Sequence, residues 1–274
     1  MAACRSFIRK AVLAAGMVLA VSATPALAQS CGNDGAGLDR WLASYKQSMS
    51  QQGISSRTLQ TALGNVSYNS EVIRLDRNQR SFKLSLDESM QRRAPASFVK
   101  RGQGIIRDNA RLLNAIEKQY GVPKEILVAI WGMETGFGSN SGNMNIFRSR
   151  ATLAYDCRRS DYFTEQLYAA LKLIDREDLD PNAVGAMHGE IGQTQFLPVN
   201  VLKYGVDGDG SGHIDMARSK ADALYSTANF LVGHGWRRGA GYQPGEANYG
   251  AIQGWNAAQV YQRAIAVMGK AIDE

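Results

Sequence analysis

Apolar positions along this chain recur mostly every three or four residues, a spacing that predicts helices. Leu38, Trp41, Leu42 and Tyr45 set the first of these, in a helix and turn over residues 38–63. The stretch from Asn69 to Phe98 is polar and basic and reads as loops with short helices. Ile105, Ile106, Leu112, Leu113 and Ile116 mark a helix over 105–119, closed by Gly121-Val122-Pro123, where the proline suits the first position of the next helix. Further stripes are Phe163, Leu167, Leu171 and Ile174 over 161–175, then Ala221, Leu224, Tyr225, Ala228 and Leu231 over 221–232. Asn256 with Gln259 reads as a capping pair before a last helix, with the stripe Val260, Ala264, Val267, Met268 and Ala271. Strand signals are sparse, and the fold is expected to be mainly α.

The helix after Pro123 carries the first chemical signal. Its stripe is Ile126, Leu127, Ile130 and Trp131, and at 100° per residue Glu134 falls in the centre of that stripe. An ionised carboxylate among apolar side chains is costly unless paired. Such a setting favours the protonated form, which can deliver a proton to a leaving oxygen near neutral pH. A buried glutamate that caps a helix or pairs with an arginine is the competing reading, and the physics alone does not separate the two. Gly136 and Gly138 then break the helix beside a glycine-rich segment, Gly136 to Gly142.

Composition narrows the setting. Arg5, Arg9 and Lys10 precede an uncharged, mostly apolar run from Ala11 to Val21, and Ala26 and Ala28 fit a signal-peptidase site. Residues 1–28 are therefore expected to be a removed signal peptide and 29–274 a single domain. The apolar run is short of the ~20 residues of a membrane span, and Gln29 before Cys31 does not suit a lipobox, so no stable membrane anchor is expected. The whole chain has 31 basic and 25 acidic residues. Three of the basic ones precede residue 29, which leaves 28 against 25 and a net +3. That mild charge suits an anionic polymer, and without a Lys/Arg-rich run it gives no footing for nucleic acid. Of Cys4, Cys31 and Cys157, the last two would remain after cleavage, an even pair in an oxidising compartment and a candidate disulfide.

Trp131-Gly132-Met133-Glu134-Thr135-Gly136-Phe137-Gly138 resembles the Glu-Thr-x-Phe-Gly segment of the membrane-bound lytic transglycosylase B family. Other pieces follow in the family's order: Leu75-Asp76-Arg77-Asn78-Gln79, Leu153 to Arg159, Gly192-Gln193-Thr194-Gln195-Phe196-Leu197-Pro198, Val206 to Gly210, Ser226 to Leu231, and His234-Gly235-Trp236. The resemblance covers nearly all of residues 29–274. It implies a lysozyme-like helical domain with a small β element (α+β), acting on peptidoglycan glycan strands; with the signal peptide, the expected place is the periplasm, and the protein is expected to be a monomer without a required cofactor. It implies cleavage of the MurNAc–GlcNAc bond with a 1,6-anhydro product, Glu134 serving as acid and then base. One carboxyl then suffices, whereas a retaining hydrolase needs two about 5 Å apart and an inverting one needs them farther apart. A muramidase of the same fold and a non-catalytic peptidoglycan-binding protein are the rival expectations.

The resemblance also places Gln195, Arg158, Arg159 and Asn256 in the substrate site, although the arginines also read as surface charges, Asn256 as an N-cap and Gln195 as a loop support. One run departs from the family pattern: in Gly185-Ala186-Met187-His188-Gly189-Glu190-Ile191-Gly192, Ala186 replaces an expected serine, and His188 and Glu190 replace small apolar residues. Glu190 is thus a candidate to assist Glu134, to hold an arginine or, at a suitable separation, to make a two-carboxylate hydrolase. Asp207, Asp209 and Ser211 occupy positions one, three and five of an EF-hand-like loop, with Gly212 at six and His213 next. The twelfth residue is Arg218, but Asp222 lies four residues later and could close a longer loop around a structural Ca²⁺. A metal-free Asp/Gly turn is the alternative. The histidines lack the compact spacing of a zinc site.

Overall fold

In a computed structural model of the protein, residues 31–78 and 96–274 are described. The expected signal segment 1–28 and Gln79 of the Asp-Arg-x-Gln stretch lie outside them. The described residues form helices α1 (Leu38–Gln51), α2 (Ser56–Leu63), α3 (Ser70–Arg77), α4 (Ala96–Asp108), α5 (Ala110–Tyr120), α6 (Lys124–Thr135), α7 (Ile146–Tyr155), α8 (Ser160–Asp175), α9 (Pro198–Tyr204), α10 (Lys220–Gly233), α11 (Tyr249–Trp255) and α12 (Gln259–Asp273). Strands β1 (Met144–Asn145) and β2 (Val184–Gly185) pair antiparallel, Met144 opposite Gly185. This is the mainly helical architecture with a small β element that the pattern and the resemblance imply. Among the described residues no helix is long and apolar enough to cross a membrane.

Helix α6 is the axis of one half of the core. Ile126, Leu127, Val128, Ala129 and Ile130 are fully buried, and α4, α5, α10 and α12 pack around it. A helix apolar on every side belongs at the centre of a bundle. The stripe around Glu134 is therefore a whole apolar cylinder, and what sets Glu134 apart is that it is only partly buried among buried neighbours. In the other half, α8 packs on α2, α7 and α9. Side chains fix the entries to several helices: Ser55 caps α2, Asn69 caps α3, Asn145 caps α7 and Ser219 caps α10, each accepting from a first-turn N–H.

Two sequence expectations change here, and one helix is new. The helix read at 105–119 is two, α4 and α5, meeting at Asn109. Helix α7 has no polar face for periodicity to reveal, since nine of its ten residues are buried. In α12 the buried face is Tyr261, Ala264, Ile265, Met268 and Ile272, while Val267 is exposed. Cys31 and Cys157 are joined by a disulfide. The N-terminal segment is held alongside by Gly32 N–H to Tyr155 O (2.9 Å) and Gly37 N–H to the Tyr155 hydroxyl (3.1 Å).

Candidate active site

Glu134 stands in the last turn of α6, where Gly136 ends the helix in the left-handed region (φ 59°), a conformation that glycine adopts without steric cost. Thr135 fixes the turn that follows: its hydroxyl donates to Gln193 O (2.6 Å) and accepts from Gly138 N–H (2.8 Å). The glycine-rich segment after Glu134 is thereby tied to the Gln193 loop. Glu134 borders two hollows. One, of about 260 Å³, is also lined by Tyr162, Glu190, Gln195, Asn200 and Asn256, with Phe196, Phe230 and Trp255 as aromatic walls. The other, of about 360 Å³, lies toward Phe98, Met133, Ser139 and Asn140. A carboxyl between two hollows can meet a bond that runs from one into the other.

Trp255, the last residue of α11, donates its indole N–H to Glu134 Oε1 (2.8 Å). Its ring stands edge-on to Phe196 (5.4 Å) and Phe230 (5.0 Å), which fixes the donor's direction. The N–H supports the ionised carboxylate, while the aromatic walls lower the polarity around it.

Gln195 lines the same cavity and has a positive φ of 53°. Reciprocal backbone hydrogen bonds between Ile191 and Phe196 (2.7 and 3.0 Å) pinch the loop that holds it there. Its amide nitrogen donates to Ser141 O and Gly192 O. A non-glycine residue in this region costs about 1–3 kcal/mol, a strain typical of sites where side-chain direction matters. Asn256 also lines the cavity. It does not cap α12 as the sequence suggested: it follows α11, its Oδ1 accepts from Ala258 N–H, and Ala258 occupies the N-cap position.

Glu190 faces Glu134's cavity, its Oε2 accepting from the His188 backbone N–H (3.1 Å) and its Oε1 lying 3.2 Å from His188 Nδ1. Burial works to raise its pKa, but the His188 contacts, a backbone hydrogen bond and the nearby charge of Arg150 outweigh it and hold the carboxyl below its ordinary value. Arg158 and Arg159 are not among the residues lining this cavity. Both donate to Asp76, whose side chain is 3% exposed, and His188 Nε2 lies 3.0 Å from the same carboxylate. Glu190, His188, Asp76 and the two arginines thus form one polar chain. The residues missed from sequence are Trp255, Tyr162, Asn200 and the link from His188 to Asp76. Trp255 directly precedes Asn256, but nothing local marks it as a partner of a residue 121 positions away.

In the Asp loop, carboxylate oxygens of Asp207, Asp209 and Asp222 lie within 4.8 Å of one another. Asp222 is fully buried and accepts from the backbone N–H groups of Gly208, Asp209 and Asp215. The Ser211 hydroxyl turns to His213 O, and the His213 ring lies toward Asp178 (3.9 Å). Three converging hard oxygen donors fit Ca²⁺, but the His213 ring is not among them.

The chain also matches known proteins in sequence and fold. Residues 37–245 match the family described as transglycosylase SLT domain. Membrane-bound lytic murein transglycosylase B of Escherichia coli (strain K12) is 40% identical over 129 residues, 46% of this chain, and the match spans only 36% of that relative's length. The structure of SltB3 from Pseudomonas aeruginosa in complex with NAG-anhNAM-pentapeptide is 28% identical, with a TM-score of 0.82, over 87% of this chain and 80% of that one. Escherichia coli lytic transglycosylase Slt35 in complex with calcium shares the fold at 24% identity and a TM-score of 0.76, over 89% of this chain and 96% of that one. With more than half of its residues matched, the chain belongs to the transglycosylase SLT domain family.

Proposed function

We propose that this protein cleaves the MurNAc–GlcNAc bond of peptidoglycan glycan strands as a lytic transglycosylase. The observation that carries the reading is Glu134, set between two hollows at the family's Glu-Thr position and held by the Trp255 N–H. Protonated Glu134 gives its proton to the glycosidic oxygen as the bond from the sugar C1 to that oxygen breaks. The substrate's N-acetyl group stabilises the positive charge left on the sugar. The C6 oxygen then bonds to C1 and its proton passes to Glu134, which is restored. No water is consumed, and one new end is a 1,6-anhydro sugar. Gln195 and Asn256 hold the sugars, and Arg158 and Arg159, paired with Asp76, contact the muropeptide.

The working unit is residues 29–274, a monomer exported to the periplasm. No cofactor takes part in the chemistry. Ca²⁺ is a structural ligand for Asp207, Asp209 and Asp222, drawing their three charges together. The SltB3 complex with a NAG-anhNAM-pentapeptide supports the choice of substrate. The second reading is a hydrolase of the same fold, favoured by the second carboxylate, Glu190, in the same cavity. Digestion of purified peptidoglycan, with mass spectra of the soluble products, tests the reading: anhydro ends support the lyase, and ends one water heavier support the hydrolase. Binding without release of products would leave a non-catalytic wall-binding protein.

A further inference from the structure

Resting on the glycan-cleaving reading above, we propose that Glu190 is a second charged group of the reaction centre, a fixed anion that stabilises positive charge on the sugar in the transition state. A lyase that uses the substrate's own groups needs no second carboxyl, so the presence of one in the cavity wall calls for a cause. Glu190 lines the same cavity as Glu134 and its side chain is 21% exposed. It is held from behind on two sides. His188 grips both oxygens, one through its backbone N–H and one through Nδ1, and His188 is itself held at Nε2 by Asp76. Asp76 in turn is anchored by Arg158 and Arg159.

The second support is Arg150 on α7, whose side chain is completely buried. Its Nε and Nη2 donate to Gly189 O, and Nη1 has no hydrogen-bond partner among the described residues. Gly189 has a positive φ, and a Cβ there would lie 2.6 Å from Arg150 Nε, so both the backbone and the packed guanidinium call for glycine. Burying an arginine this way is costly. Its charge acts on Glu190, and the loop is shaped around it. Tyr162 on α8 is a further titratable neighbour, and Glu134 on α6 lines the same cavity. A carboxylate oriented in this way needs no rearrangement when the sugar ring becomes cationic, which is the condition under which a fixed charge favours the transition state over the ground state. His188 and Asp76 are positioning residues that act through Glu190.

The test compares the wild-type chain with Glu134→Gln, Glu190→Gln, Glu190→Asp and His188→Gln on purified peptidoglycan. It measures kcat and KM separately, the pH profile and the product masses. Glu190→Gln is expected to lower kcat roughly ten- to hundredfold with KM within about threefold. Glu190→Asp should recover part of that loss. His188→Gln should shift the acid limb of kcat to higher pH, because it removes the contact that holds Glu190 ionised. Should Glu190→Gln fail to fold, Glu190→Asp and His188→Gln carry the same expectations. An unchanged kcat, or a raised KM alone, overturns the proposal and leaves Glu190 a wall or binding residue. Loss of hydrated ends alone also overturns it, since Glu190 would then activate water. An active wild type, a dead Glu134→Gln and a normal Glu190→Gln refute this proposal only, whereas an inactive wild type removes the reading it rests on.

Discussion

Replacing both Cys31 and Cys157 by serine isolates one term of the stability. The bond joins residues 126 positions apart, and both cysteines are exposed, so serine costs little packing. What changes is the unfolded chain. The loop-closure relation for 126 residues gives about 16 cal/mol/K, or about 5 kcal/mol at 25 °C. At about 2–4 °C per kcal/mol for a domain of this size, Tm should fall by roughly 10–20 °C. Residue contacts keep the N-terminal segment seated in the variant: Trp41 stacks on Tyr45 (4.9 Å) and meets the Tyr155 ring edge-on (6.1 Å), while Gly32 still reaches Tyr155 O. Activity at 25 °C should therefore stay within about twofold, because α6 and α11 are untouched. Urea titration and circular-dichroism melts of oxidised wild type and the double serine variant provide the assay. A stability difference below about 1 kcal/mol would refute the reasoning, because the unfolded chain would then already be constrained between these positions.

Trp255→Phe keeps an aromatic ring against Phe196 and Phe230 but removes the N–H on Glu134. A hydrogen bond to a charged group is worth about 1.5–3 kcal/mol, so kcat should fall roughly ten- to hundredfold with KM little changed, as steady-state kinetics will show. Asp76 has its pKa pulled in opposite directions: burial raises it, but the hydrogen bonds and charges of Arg158 and Arg159 win and hold it below its usual value. A depressed carboxyl stabilises the fold above its unfolded value of about 3.9, and that contribution is lost as pH falls through the folded value. Asp76→Asn should lower stability at neutral pH and flatten its fall below about pH 4, measured by urea titration from pH 7 to 2. Ca²⁺ at about one hundred times its Kd should add about 2.7 kcal/mol to the wild type and nothing to Asp207→Ala, read as a shift in Tm.

The sequence made Glu134 legible because a carboxylate in an apolar helix is anomalous against a simple expectation. Gln195 and Asn256 reach the same cavity, but for reasons that periodicity does not carry. Gln195 is held by a pinched loop and a positive φ, and Asn256 ends α11 instead of capping α12. Helix α7 escaped notice because burial on all sides erases amphipathic spacing. The partner of Glu134 escaped for a different reason: Trp255 is brought to it by the packing of α11 on α12 and of α12 on α6. Such contacts belong to the assembled core, as does the chain from Glu190 through His188 to Asp76, which spans 112 positions between its last two members. His188 and Glu190 were visible as departures from the family pattern, and only the fold connects them to Asp76.

The most direct measurement is the mass of the soluble products released from purified peptidoglycan by the wild type and by Glu134→Gln. Anhydro-muropeptides from the wild type, with none from the variant, are the predicted result. Equal release by both proteins would contradict the account, because the bond would then be cut without Glu134.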